Sequence, residues 1–453
     1  MNCKLIRLVS LTVIAVMLLS VGAFAESTPP AVLTDAVILV DAESGVMLYG
    51  HNETKQVYPA STTKIMVALL ALENLELDQT VTASASAVNL LPPGHTNIGI
   101  LAGEQLTVRQ LLYALMLPSA GDAANVLGEN ISGSVDEFVK LMNKRALELG
   151  MNNTNYMNTS GAHDDRHYTT AADMAILTRK AMENASFREI VATEVYIIPP
   201  TEKYEEERRL TNTNKLIQKN TKYYYQYATG VKTGYTNPAK LCLVSTATKK
   251  NLSLVCVALG AESENGNDMR FVDSKNVFEY GFNNYKRDVV VEMGSIVEEA
   301  PIRSAKGARK ALLEAETTLT HLMPIDGVMG EITREVEIQK NIKANVSKGQ
   351  VLGTAEYFVD GVSVGKVNLV SAKDYVFDPV KEVLNVIGDV LTSPWLYLPF
   401  VLFFVVLVII RQYNYNIRRK KRMELRKQQM REEAEKRRAA MKRESFMDDF
   451  LNK

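Results

Sequence analysis

Cysteine and histidine are scarce in this chain, with three of the first and five of the second among 453 residues. Cys3 sits in the N-terminal segment, so only Cys242 and Cys256 serve the remainder, in two apolar runs separated by Lys249-Lys250-Asn251. Two cysteines without metal-like spacing exclude a thiolate metal cluster and a disulfide framework. They read either as one bridge across a hairpin or as two small buried residues. His163 and His167 stand with Asp164 and Asp165, but the group lacks the i, i+4 helical frame of His-Glu-x-x-His and precedes a helix start led by Thr169. No metal is assigned to it. An excess of either charge is also missing: 52 basic residues balance 52 acidic ones. That balance gives the main body no footing for nucleic acid. There is no internal repeat and no low-complexity linker.

The length suits two domains with appendages, because single cores stop growing before this size. Lys4 and Arg7 precede an apolar run from Leu8 to Val21, and Ala23-Phe24-Ala25 follows. This order predicts a signal peptide over residues 1–25. Cys3 has no Leu-x-Gly-Cys context and leaves with that peptide.

A second apolar run, Trp395 to Ile410, precedes Arg411 and Arg418-Arg419-Lys420-Lys421-Arg422. Sixteen residues rise about 24 Å as a helix, so the span is extended back to Val390 to cross a layer of about 30 Å. A membrane anchor over 390–411 follows, with Trp395 and Tyr397 at the interface. The basic cluster predicts a cytoplasmic tail over 412–453 and an exported body.

Between these ends, short apolar runs from Val32 to Tyr49 read as a hairpin. Helical spacing follows Ser61 through Ile65, Leu69, Leu72 and Leu75. Further helices are expected from Leu106 to Met116 and over 135–149 and 171–183. Val231 to Thr248 and Leu252 to Leu259 read as adjacent strands. The expected fold is α/β in the α+β sense, an antiparallel sheet backed by helices. After about Asn284 the texture turns to short β-branched runs with turn signals at Asp326-Gly327 and Asp360-Gly361, a small all-β module. Residues 373–389 read as an amphipathic linker helix.

Three motifs carry chemistry. Ser61-Thr62-Thr63-Lys64 opens a helix, and residues three apart share a helix face. The Lys64 amine therefore reaches the Ser61 hydroxyl, and a desolvated lysine loses its proton readily enough to act as base. Ser119-Ala120-Gly121 follows the second helix. Lys232-Thr233-Gly234 lies on a strand, offering a cation and a hydroxyl to a carboxylate while Gly234 admits a substrate. The Tyr235 amide would join that of Ser61 as an oxyanion hole. Ser-x-x-Lys with Lys-Thr-Gly is a recognised combination in penicillin-binding proteins and β-lactamases.

With these motifs the chain resembles the D-Ala-D-Ala carboxypeptidases, the low-molecular-mass penicillin-binding proteins. The matching stretches are Tyr58 to Met66, Pro118 to Ala124, His167 to Asp173, Gly230 to Thr236 and Arg270 to Lys275. The resemblance implies a transpeptidase/β-lactamase-like domain over 26–285 and a β-rich domain over 286–372. It implies that Ser61 is acylated, that Lys64 is its base and that Ser119 relays protons. Lys232, Thr233 and Arg270 would hold the terminal carboxylate of a peptidoglycan stem peptide. Asp173 would belong to a loop closing the site. No cofactor is required, and β-lactams would act as covalent inhibitors. Two departures stand out: Gly121 where the family has Asn, and Ser160-Gly161 where it often has His-Gly. They leave room for a penicillin or muropeptide sensor. A β-lactamase would need a general-base Glu, and residues 152–172 contain none.

Overall fold

The computed structural model describes residues 28–92 and 94–451. The expected signal peptide and Cys3 lie outside the described residues. The chain divides into two compact units. The first takes the described residues up to Val290 with Thr320–Ile332 and Val359–Gly361; the second takes Val291–Leu319, Thr333–Phe358 and the residues from Val362 on.

The first unit is built on five strands: β1 (Ala36–Asp41), β2 (Met47–His51), β3 (Ala228–Thr236), β4 (Lys240–Lys249) and β5 (Leu252–Ala261). They form one antiparallel sheet in the order β2-β1-β5-β4-β3, with β3 at an edge. The segment from Val231 to Thr248, expected as one strand, is two strands with a turn at residues 237–239. Pro238 has no amide hydrogen to give a ladder, which breaks the run there.

Helices cover both faces because residues alternate along each strand. Ile38, Val40, Val255 and Val257 join one apolar cluster with the helices α1 (Lys64–Asn74), α2 (Val108–Met116), α3 (Gly121–Ser132), α4 (Val135–Glu148) and α5 (Ala171–Met182). Val37, Leu39, Leu254 and Cys256 join the other with α6 (Met269–Asn284) through Phe271, Val277 and Phe278. Cys242 belongs to the first cluster and Cys256 to the second, and the register sets Ser245, not Cys242, opposite Cys256. Both thiols are free and buried, and burial pushes their pKa up, to about 11 and about 12. No bridge joins them.

The second unit holds a five-stranded sheet of β6 (Ile296–Pro301), β7 (Lys310–Ala315), β8 (Ile332–Ile338), β9 (Val351–Val359) and β10 (Val362–Ser371), in the order β6-β7-β10-β9-β8. The helix α7 (Pro379–Thr392) is capped by Asp378, whose side chain accepts from the Val380 and Lys381 amides at 3.0 and 3.2 Å. Its polar side is tied down, with Lys381 Nζ on the Ala305 carbonyl at 2.8 Å, while Val383, Leu384 and Ile387 stay exposed. Ser393 is extended and separates it from α8 (Pro394–Leu451), as expected for a residue before proline. The break lies inside the span expected for the anchor. The segment from Pro379 to Arg443 is, among the described residues, the one helical stretch long and apolar enough to cross a membrane.

Candidate active site

Ser61 stands in a 3-10 turn, Ala60–Thr63, that runs directly into α1. Ala60 is held at φ +48°, a left-handed conformation costly for alanine. Lys64 is 2% exposed, and its Nζ lies 3.0 Å from Ser61 Oγ and 2.5 Å from the Ser160 carbonyl oxygen. Burial lowers the Lys64 pKa to about 7, opposed by the nearby Asp122 carboxylate. A serine hydroxyl therefore sits against an amine that is partly unprotonated at neutral pH.

Ser119 also adopts a left-handed backbone, φ +76°, at the turn between α2 and α3. Its hydroxyl is buried and has no hydrogen-bond partner among the described residues. A buried orphan hydroxyl facing a cavity is suited to a bound ligand. On the opposite side runs β3. Lys232 is buried, and its Nζ donates to the Thr233 carbonyl at 3.2 Å. Burial, and then the positive charges of Lys64 and Arg270, push its pKa well down. Thr233 Oγ1 lies 2.5 Å from Thr213 Oγ1. A Cβ on Gly234 would stand 3.0 Å from the Ser61 nitrogen, so glycine lets the edge strand pass close to the serine. Arg270, in the first turn of α6, pairs with Asp268 at 3.0 Å and donates to the Gly234 carbonyl at 3.1 Å.

Ser61, Lys64, Ser119, Thr233, Gly234, Tyr235 and Arg270 line one cavity of about 370 Å³. Lys232, almost wholly buried, is not among the residues lining it. Asp173 is not on it: it stands in the first turn of α5 and accepts from the Asn153 amide and the Thr154 hydroxyl at 2.9 and 2.7 Å. His167 is also remote from a ligand role. Its Nδ1 accepts from the Met157 amide at 3.3 Å, which leaves Nε2 to donate to Thr63 Oγ1 at 2.9 Å.

Sequence reasoning missed three contributors. The Ser160 carbonyl accepts from Lys64, a contact expected from a side chain at position 121. Gly161 makes that possible: at φ +79° its hypothetical Cβ would fall 1.9 Å from the Ala60 oxygen. Thr213 and His95 also line the cavity. Only the Gly161 conformation left a signal in the sequence, as a glycine beside an otherwise polar run.

The geometry agrees with comparisons to known proteins. A family model described as D-alanyl-D-alanine carboxypeptidase matches residues 23–263, and one described as the penicillin-binding protein 5 C-terminal domain matches residues 285–376. The D-alanyl-D-alanine carboxypeptidase DacF of Bacillus subtilis is 31% identical over 382 residues, covering 81% of this chain and 94% of that protein. The crystal structure of penicillin binding protein 5 from Haemophilus influenzae is similar at a TM-score of 0.56 and 28% identity, over 77% of this chain and 99% of that one. A Streptomyces DD-transpeptidase structure gives 0.52 and 31%, over 56% and 99%. The chain belongs to the D-alanyl-D-alanine carboxypeptidase family.

Proposed function

We propose that this protein is a serine-type carboxypeptidase that removes the terminal D-alanine from peptidoglycan stem peptides through an acyl-enzyme on Ser61. The observation that carries the reading is the Lys64 amine, buried, 3.0 Å from Ser61 Oγ and lowered to about pKa 7. Lys64 takes the Ser61 proton as Oγ adds to the penultimate carbonyl carbon, and the amides of Ser61 and Tyr235 receive the developing oxyanion. The C–N bond breaks, and the leaving D-alanine amine takes a proton passed through Ser119. Water then resolves the ester.

Lys232, Thr233 and Arg270 hold the substrate carboxylate. That assignment also fits the charge pattern, since a carboxylate at Lys232 favours its protonated form, and a cation there keeps Lys64 neutral. β-Lactams acylate the same serine. The Ser160 carbonyl gives Lys64 a second partner besides Ser61.

The catalytic domain spans 26–285, the β-rich domain 286–372 and the linker 373–389, which is helical only from Pro379 rather than from 373. The segment over 390–411 anchors the protein, with the body exported behind a cleaved signal peptide and the basic tail on the cytoplasmic side. The test is release of free D-alanine from diacetyl-Lys-D-Ala-D-Ala by the full chain in detergent, with Ser61→Ala as control. Release that persists in Ser61→Ala sinks the mechanism.

A further inference from the structure

The loop over residues 94–100 is lashed to the start of α3. The Gly121 amide donates to the Thr96 carbonyl at 2.8 Å, and Asp122 Oδ2 accepts from the Ile98 and Ile100 amides at 3.1 Å each. Leu91 fills the space beside Gly121, where a Cβ would meet its Cδ1 at 2.5 Å. The position from which the family's amide side chain would reach is thus occupied by the loop itself. The same loop carries His95 to the wall of the cavity that holds Ser61 and Lys64.

That wall, formed by residues 94–96 and 118–121, is poor in hydrogen-bonding side chains, because Gly94, Pro118 and Gly121 supply none. Ser119 and Thr96 are the others with polar atoms. Ser119 is assigned to Lys64 and the leaving group, and Thr96 is exposed with its carbonyl spent on Gly121. The His95 ring makes no hydrogen bond that ties it to the protein's catalytic groups. Partial burial and the neighbouring Lys64 both disfavour its protonated form. A neutral imidazole has one N–H donor and one bare nitrogen acceptor, the same pair of capacities as a carboxamide.

We infer that His95 is a substrate-binding residue of this enzyme, its neutral ring hydrogen-bonding the peptide backbone of the stem peptide on the acyl side of the scissile bond, in place of the amide absent at Gly121. This rests on the carboxypeptidase reading above. It makes the 94–100 loop and position 121 one unit: the glycine that removes the amide is the glycine that lets the loop deliver the ring.

The test measures D-alanine release from diacetyl-Lys-D-Ala-D-Ala by the full chain in detergent, for wild type, His95→Ala, His95→Gln and the triple variant Leu91→Ala/Gly121→Asn/His95→Ala. Loss of an oriented substrate contact lowers kcat/KM of His95→Ala by about tenfold to a hundredfold. His95→Gln, which keeps a donor and an acceptor, recovers most of that loss, and the triple variant recovers part of it. A role confined to loop packing would not be rescued by an amide at either place. If His95→Ala matches wild type, or if His95→Gln is as impaired as His95→Ala, the inference fails while the carboxypeptidase reading stands. An inactive wild type overturns both. Should His95→Ala prove unstable by thermal melting, the ratio of His95→Gln to wild type decides.

Discussion

Leu91 occupies the space that a side chain at Gly121 would enter, since a Cβ there would come within 2.5 Å of Leu91 Cδ1 and 3.4 Å of Ser160 Cβ. Leu91 is partly exposed, and its tip must move before a side chain at 121 can fit. From the sequence alone, restoring the family's Asn at 121 looks neutral or beneficial. The structure sets a cost against that expectation, because the Leu91 tip must first give way. Gly121→Asn should destabilise the protein by about 1–3 kcal/mol through overpacking and lower D-alanine release. Adding Leu91→Ala should recover stability relative to the single variant. Denaturant midpoints of the two variants decide; equal midpoints for Gly121→Asn and wild type would show the space to be free.

On the proposed mechanism, Lys64 sets the pH dependence of acylation. Its amine must be unprotonated to accept the Ser61 proton, and its pKa is lowered to about 7. The rate of Ser61 acylation by a fluorescent penicillin should therefore rise with pH through a midpoint near 7 and level off above it. Lys64→Arg keeps the charge but cannot deprotonate, and should lose acylation at every pH in the range. A pH-independent rate in the wild type would remove Lys64 from the role of base.

His167 makes the fold sensitive to acid. Burial, with smaller contributions from the nearby His163 and Lys64 charges, holds its pKa down at about 4, against 6.5 for a free ring, and the Asp164 carboxylate opposes them. Between these values the unfolded chain binds a proton that the folded chain does not, so stability falls as pH drops from about 6.5 to about 4, by roughly 3 kcal/mol in full. His167→Gln should show a flatter loss across that window in urea titrations, even if it starts less stable. Parallel slopes for the two proteins would assign the acid loss elsewhere.

Arg287 and Asp41 form an ion pair, 5% and 0% exposed, with Nε to Oδ1 at 3.2 Å and Nη2 to Oδ2 at 2.5 Å. Ser44 adds its amide and hydroxyl to the same carboxylate at 2.7 and 2.6 Å. Arg287→Ala leaves that carboxylate buried without its cation and should cost about 3–5 kcal/mol. Asp41→Asn placed in the same chain should return a substantial part of it. Denaturant unfolding of both variants checks the order; a double variant no better than the single would mean the loss comes from packing of the arginine stem.

Much of the first unit was legible because its signals are local. Ser61 and Lys64 lie three residues apart at a helix start, and β4 and β5 announce themselves by β-branched runs. The helix α3 was not legible: residues Gly121 to Gly128 are all buried, so no polar face marks its period, and its two glycines read as breakers. Gly128 is there because a Cβ would stand 2.6 Å from the Phe138 ring, a contact no local pattern can reveal. The turn at residues 237–239 was lost inside a longer apolar run.

The sequence by itself determined the pairing of Ser61 with Lys64, since helix geometry alone brings positions 61 and 64 together, and it determined the strand that faces them. Tertiary structure decided the rest of the Lys64 environment. Its second partner is a main-chain carbonyl, which carries no side-chain signature, delivered from 96 residues away at Ser160. The filling of position 121 by Leu91 and the arrival of His95 depend on how a loop packs on a helix. The fate of Cys242 and Cys256 was likewise set by strand register, which placed them on opposite faces of one sheet where spacing alone left a bridge open.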